Sequence, residues 1–260
     1  IFDAFYRSNP CGGGYAIMAG LEQVISYIKE LHFDKEDIDY LRSLGIFGED
    51  FLEYLSNFKF SCDVYAVPEG TPVFPNEPIV KICGPVIEAQ LIETLVLNII
   101  NHQTLVATKA NRVVRAAQGK KVIEMGARRA HGFDSAILGA RATYIGGVSA
   151  TTLYNAAKGF KIPSASPMSH SWVQLFDDEL EAFKIYLEEH GEDGLLLVDT
   201  YDTLKSGVPN AIRVFNEVLK PLGITKCGIR LDSGDMTYLS KKARQMLDEA
   251  GWTECQISVS

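Results

Sequence analysis

Residues 194–235 read GLLLVDTYDTLKSGVPNAIRVFNEVLKPLGITKCGIRLDSGD. An apolar run, Leu195 to Val198, ends in Asp199, Thr200, Asp202 and Thr203. A helical segment from Pro209 to Leu219 follows. A second apolar run then starts at Cys227 and ends in Arg230, Asp232, Ser233 and Asp235. Strand, polar end, helix, strand is the repeating unit of a parallel sheet.

The same unit recurs on both sides. From Gly119 onward the runs are KVIEMGARR, TYIGGVSAT and SPMSHSWV before the quoted stretch, and CQISVS after it. Between them Ser135 to Ala142, Thr152 to Ala157, Asp177 to His190 and Leu239 to Ala250 carry helical patterns. A series this long without a G-x-G-x-x-G start suits a β/α barrel better than a dinucleotide fold. A complete eight-unit barrel needs about 250 residues. Here the sixth strand is only forming at Ser260, so the barrel is expected to be irregular and its C-terminal part absent.

The first hundred residues have another texture. Ile1 to Tyr6 reads as a strand, and NPCGGGY leads from it into a helix. Gly12 to Gly14 match neither phosphate-loop pattern, and a tight turn with close packing is preferred over a phosphate cradle. Apolar residues at Leu21, Val24, Ile25, Ile28 and Leu31 keep helical spacing. Asp34 caps a second helix that Gly45 stops, and a third runs from Glu49 to about Phe58. CDVYAV, TPVF and PIVKICG are short strands between Pro and Gly turns. Val86 to Ala117 is helical, with a turn possible near Asn101 and His102. Lys109, Arg112 and Arg115 share one face of that helix, read as a solvated face. The expected fold is α/β: an N-terminal α+β, sandwich-like domain with its connecting helix over residues 1–105, then an irregular, incomplete α/β barrel over 106–260.

Composition narrows the function. A net charge of −8 argues against a protein that binds nucleic acid by neutralising phosphates with a basic surface. Five cysteines, Cys11, Cys62, Cys83, Cys227 and Cys255, are an odd number with no C-x-x-C pair, so neither a disulfide framework nor a zinc site is suggested. A cytoplasmic protein is expected. The apolar segment Val86 to Ile100 is broken by Glu88, Gln90, Glu93 and Asn98, which excludes it as a membrane span. The chain opens on IFDAFYRSNP, which is no signal peptide, and without methionine, so the true N-terminus is expected to lie further upstream.

In β/α barrels the reacting groups sit at the C-terminal ends of the strands. These ends carry Glu124, Arg128, Arg129 and His131; Ser149 and Thr151; Ser169, His170 and Ser171; Asp199, Thr200, Asp202 and Thr203; and Arg230, Asp232, Ser233 and Asp235. Arginine forks match phosphate oxygens, and carboxylates can hold Mg²⁺ shared with phosphates. Any one Asp or Ser could be only a helix cap, as Asp202 and Asp235 well illustrate. Five such ends together point to a phosphate-handling enzyme. No lysine stands at a strand end, which disfavours Schiff-base chemistry and leaves Lys205 as its sole candidate.

FYRSNPCGGGYAIMAG, GARRAHGFDSAILGARATYIGG, SHSWV, VDTYDT and IRLDSGD, in this order, resemble the signature motifs of nicotinate phosphoribosyltransferases, and the resemblance covers nearly the whole chain. It implies an enzyme that joins nicotinate to 5-phosphoribosyl-1-diphosphate, giving nicotinate mononucleotide and diphosphate in NAD biosynthesis. The resemblance further implies coupled ATP hydrolysis through a phosphohistidine, hence an ATP-dependent ligase, and Mg²⁺. It implies a homodimer with sites near the subunit interface. Transferred residue by residue, His170 matches the phosphorylated histidine, Arg230 an arginine near the nicotinate carboxylate and phosphates, Asp232 an acid near the ribose, and Arg128 a diphosphate contact. Ser169, Ser149 and Asp199 complete the substrate-binding set; metal ligands are not assigned. Ser166 and Pro167 stand where the family has Gly and Thr, and Ser169 where it has Ala. Pro167 keeps two alternatives in view: a phosphoribosyltransferase for nicotinamide or quinolinate, and a non-catalytic homologue that binds a phosphorylated metabolite.

Overall fold

The computed structural model describes all 260 residues and divides into two compact units, Ile1–Ala165 and Ser166–Ser260. The division expected at residues 105 and 106 falls inside one continuous helix.

The first unit is mixed α/β. Its elements begin with β1 (Phe2–Ala4), β2 (Ala16–Ile17), α1 (Leu21–Glu30), α2 (Lys35–Ser43), α3 (Glu49–Ser56), β3 (Asp63–Ala66), β4 (Pro72–Val73) and β5 (Val80–Cys83). The long α4 (Val86–Ala116), β6 (Ile123–Glu124), α5 (Phe133–Ile145), β7 (Ala150–Thr151) and α6 (Tyr154–Phe160) follow. β5 lies antiparallel between β1 and β3, β2 pairs antiparallel with β4, and β6 pairs parallel with β7. The Asp34 cap of α2 is present as a full capping box with Asp37.

α4 organises this unit. Val24 of α1 and Ile92, Val96 and Ile100 of α4 share a core with Val80 and Ile82 of β5. No turn interrupts α4 at Asn101 and His102, contrary to expectation. Just beyond, Thr104 and Thr108 point inward, and their hydroxyls accept from the backbone N–H groups of Ala19 and Ile17, at 3.3 Å and 2.8 Å. The helix itself thus holds the strand β2. α5 crosses α4 closely at Gly146, where a Cβ would come within 2.5 Å of the Ala107 carbonyl. The NPCGGGY segment leads into β2 and not into a helix. Its turn takes positive φ at Cys11 and Gly12, and only Gly13 is in close packing. Two of the three basic residues on α4 are not simply solvated: Arg112 donates to the Cys11 carbonyl at 2.8 Å and Arg115 to the Tyr15 hydroxyl at 2.9 Å.

The second unit contains α7 (His170–Val173), α8 (Glu179–His190), β8 (Leu195–Leu197), α9 (Val208–Val214), β9 (Gly228–Leu231), α10 (Met236–Glu249) and β10 (Gln256–Val259). β9 runs parallel between β8 and β10. Leu196, Leu197, Val198, Ile229 and Leu231 are essentially inaccessible, as continuous apolar runs in a parallel sheet covered on both faces should be. Phe183, Leu187, Val214, Phe215 and Leu247 from the helices complete this core. SPMSHSWV is not the expected strand. Ser166 and Met168 are instead anchored by bonds from the Tyr186 hydroxyl, the Leu197 N–H and Arg230.

Candidate functional site

His170 opens the four-residue α7, and Ser169 caps it. The Ser169 hydroxyl accepts from Trp172 N–H at 3.3 Å and bonds the Ser171 hydroxyl at 2.9 Å. Serine is a favoured N-cap because its hydroxyl satisfies a free N–H of the first turn, and this sets His170 at the first position of α7. Its side chain retains 39% of its surface and is open to solvent.

The strand ends close around it. His170 Nε2 lies 3.4 Å from Asp232 Oδ2, and Nδ1 lies 3.1 Å from Thr200 Oγ1. Asp232 Oδ1 accepts from Arg230 Nη2 at 2.9 Å and from the Ser260 hydroxyl at 2.5 Å. Arg230, buried on β9, also bonds the Ser260 hydroxyl through Nε at 3.0 Å and the Met168 carbonyl through Nη1 at 3.2 Å. Burial pushes the Asp232 carboxyl up, but the Ser260 hydroxyl, the Arg230 guanidinium and the bond with His170 outweigh it, so its pKa lies below the ordinary value. Asp199, just past β8, is buried. Its Oδ2 accepts from Asp232 N–H at 2.9 Å and the Ser233 hydroxyl at 2.5 Å, while Oδ1 is buried without a partner.

Four of the seven expected residues, His170, Asp199, Arg230 and Asp232, thus belong to one hydrogen-bonded network on the second unit, and a fifth, Ser169, precedes His170 as the cap of its helix. Thr200, Ser233 and Ser260 join them: Thr200 and Ser233 were among the strand-end groups read from the sequence, though outside the substrate-binding set, and Ser260 was not singled out. Thr200 sits in VDTYDT beside Asp199, so its position was readable; its partner was not.

Arg128 and Ser149 belong to the first unit, and both are exposed. Arg128 lies in a short turn, Ala127–Arg129. A cavity of about 590 Å³ in this unit is lined by Asn101, His102, Glu124, Arg129, His131 and Ser135, among others, so Arg129 and not Arg128 faces it. Glu124 orders its wall by accepting from the Thr151 hydroxyl at 2.6 Å and from Gly126 N–H.

On the second unit the arrangement pairs an accessible imidazole with a carboxylate and an arginine, the elements of reversible phosphoryl acceptance. Nowhere do three His, Cys, Asp or Glu side chains gather to hold a metal ion.

Similarity to known proteins agrees with the motifs. Residues 1–101 match the nicotinate phosphoribosyltransferase N-terminal domain family. The whole chain is 50% identical over 260 residues to a nicotinate phosphoribosyltransferase of Bacillus subtilis, covering 52% of that protein. It is 45% identical over 262 residues to one of Mycobacterium tuberculosis, covering 55%. The chain therefore spans about half the length of these curated relatives. The crystal structure of human nicotinic acid phosphoribosyltransferase superposes with a TM-score of 0.83 at 26% identity, over 99% of this chain and 63% of that one. A nicotinate-nucleotide pyrophosphorylase from Pyrococcus furiosus shares the fold, with a TM-score of 0.77 at 23% identity. The chain belongs to the nicotinate phosphoribosyltransferase family.

Proposed function

We propose that the full-length protein joins nicotinate to 5-phosphoribosyl-1-diphosphate, forming nicotinate mononucleotide and diphosphate in NAD biosynthesis. ATP hydrolysis is coupled to this by transient phosphorylation of His170. The observation that carries this reading is the linked set His170, Asp232 and Arg230 at the strand ends, within a chain half identical to an enzyme of that name.

Chemically, the pyridine nitrogen bonds to the anomeric carbon as the bond to diphosphate breaks, through a state with positive charge on the sugar. That charge separation demands a stabilised leaving group. On the second unit Arg230 supplies positive charge, Asp232 meets the ribose, and Ser169 and Asp199 serve as further polar contacts; Arg128 and Ser149, on the first unit, are retained as substrate contacts on the family resemblance alone. Two functions of Ser169 then coexist, since its hydroxyl also caps α7. Phosphorylation of His170 adds charge beside the leaving group and thereby changes affinity without touching the sugar. Without a carboxylate cluster of its own, the chain offers no dedicated metal cage. Mg²⁺, in this reading, arrives on the phosphates of its substrates, as is usual for that ion.

The fold is taken as an N-terminal α/β domain followed by an irregular α/β barrel, and the protein as a cytoplasmic homodimer. Pro167 favours a second reading. It lacks the N–H and the hydroxyl of the threonine the family places there, so another pyridine, nicotinamide or quinolinate, or mere binding of a phosphorylated metabolite, would fit an altered pocket. Turnover of the three pyridines by the full-length protein, each with and without ATP, separates these. Preferred, ATP-stimulated use of nicotinate is expected; ATP-independent use of quinolinate, preference for nicotinamide, or no turnover at all would overturn the first reading.

A further inference from the structure

Both ring nitrogens of His170 are engaged, and by groups of different kinds. Nε2 faces the Asp232 carboxylate, which when ionised can only accept, so the pair is bonded when Nε2 carries a hydrogen. Nδ1 faces the Thr200 hydroxyl, which either donates or accepts. The two partners are themselves fixed. Asp232 is gripped by Arg230 and Ser260. Thr200 follows Asp199, whose carboxylate is tied to Asp232 N–H and the Ser233 hydroxyl.

An imidazole on an exposed rim has a soft, nearly two-fold final torsion. Asp232 alone would leave its ring orientation loosely determined, because its bond to Nε2 is long. A flip about that torsion sets carbon atoms opposite both Thr200 and Asp232 and loses both bonds.

We propose that Thr200 is a positioning residue for the chemistry of His170. In the neutral ring its hydroxyl donates to Nδ1, which places the ring hydrogen on Nε2 toward Asp232 and the lone pair on Nδ1. Nδ1 then forms the N–P bond to the γ-phosphoryl group as the P–O bond to ADP breaks, and the Thr200 hydroxyl passes its hydrogen bond from Nδ1 to a phosphoryl oxygen. In the protonated ring the same hydroxyl accepts from Nδ1–H, so the ring keeps its place in both charge states. Valine, equal in shape, does neither. The proposal rests on the reading of His170 as the phosphate acceptor, but its structural content is independent of ATP.

The test uses full-length protein with ¹⁵N-labelled histidine, as wild type, Thr200→Val and Thr200→Ser. Two-bond ¹⁵N–¹H correlation spectra at about pH 8, above the ordinary histidine pKa of about 6.5, report the tautomer of His170. Incorporation of label from γ-labelled ATP reports its reactivity. Expected are the Nε2–H form in wild type and in Thr200→Ser, a mixture of tautomers in Thr200→Val, and labelling lowered about tenfold in Thr200→Val and restored in Thr200→Ser. An unchanged tautomer and labelling rate in Thr200→Val, or an Nδ1–H form in wild type, overturns the proposal. If the tautomer shifts as expected while none of the three proteins accepts label, positioning by Thr200 stands and the phosphohistidine reading fails.

Discussion

Asp232 stands between opposite obligations: Oδ1 accepts from Arg230 at 2.9 Å, while Oδ2 faces His170 Nε2 at 3.4 Å. One carboxylate therefore both neutralises a buried guanidinium and orients the imidazole. Asp232→Asn keeps the shape but loses the charge. It is expected to lower stability by about 1–3 kcal/mol, because Arg230 is left under-compensated, and to reduce labelling of His170. Denaturant unfolding and a labelling time course check the two effects.

Glu69, on the first unit, gives a pH-dependent prediction. It accepts from Gly20 and Leu21 N–H at the start of α1, at 2.6 Å and 3.0 Å, and makes a two-bond pair with the largely buried Arg141. Burial pushes the Glu69 carboxyl up, but Arg141 and the two backbone donors prevail and hold it below its ordinary value of 4.5. A depressed carboxylate stabilises the fold above the unfolded-state value, and that contribution is lost as pH falls through the lower folded value. Glu69→Gln should cost about 1–3 kcal/mol at neutral pH, Glu22 remaining paired with Arg141, and flatten the acid limb of stability against pH. Melting curves from pH 7 down to acid measure both.

Gly207 is required by space and not by φ. A Cβ there would lie 1.8 Å from the Val198 carbonyl, immediately before Asp199. Gly207→Ala should destabilise by on the order of 3 kcal/mol and displace Asp199 and Thr200, lowering melting temperature and labelling together.

Ser169 offers a way to separate capping from substrate contact. Ser169→Ala removes the α7 cap, at a cost of about 1 kcal/mol, whereas Ser169→Asp retains a capping acceptor but adds charge beside His170. If the cap dominates, the aspartate variant holds the wild-type melting temperature. If substrate contact also matters, it still shows a raised KM for the phosphorylated substrate.

Much of this was legible in the chain because physical signals were strong and local. Leu195 to Leu197 and Gly228 to Leu231 form strands as their unbroken apolar runs require, and Asp34 caps α2 as its place before the helical run leads one to expect. Other features depend on partners distant in sequence. α4 passes straight through Asn101 and His102, and the bonds its Thr104 and Thr108 accept from Ala19 and Ile17 join it to residues far away in the chain. Two-residue β2 is too short to leave a pattern. SPMSHSWV mimics a strand in composition, yet Tyr186, Leu197 and Arg230 anchor it, and Ser169 turns it into a helix at His170. Arg128 and Arg129 are equivalent in a motif; only the turn that carries them decides that Arg129 lines the cavity.

His170 is the proposed acceptor of phosphate from ATP. Full-length protein incubated with γ-labelled ATP and Mg²⁺, then digested and mapped, tests it most directly. An acid-labile, base-stable label is expected on the peptide containing His170, absent from a folded His170→Ala variant. Label that persists in His170→Ala, or a wild-type protein that turns over nicotinate with ATP yet never carries label at His170, would contradict it.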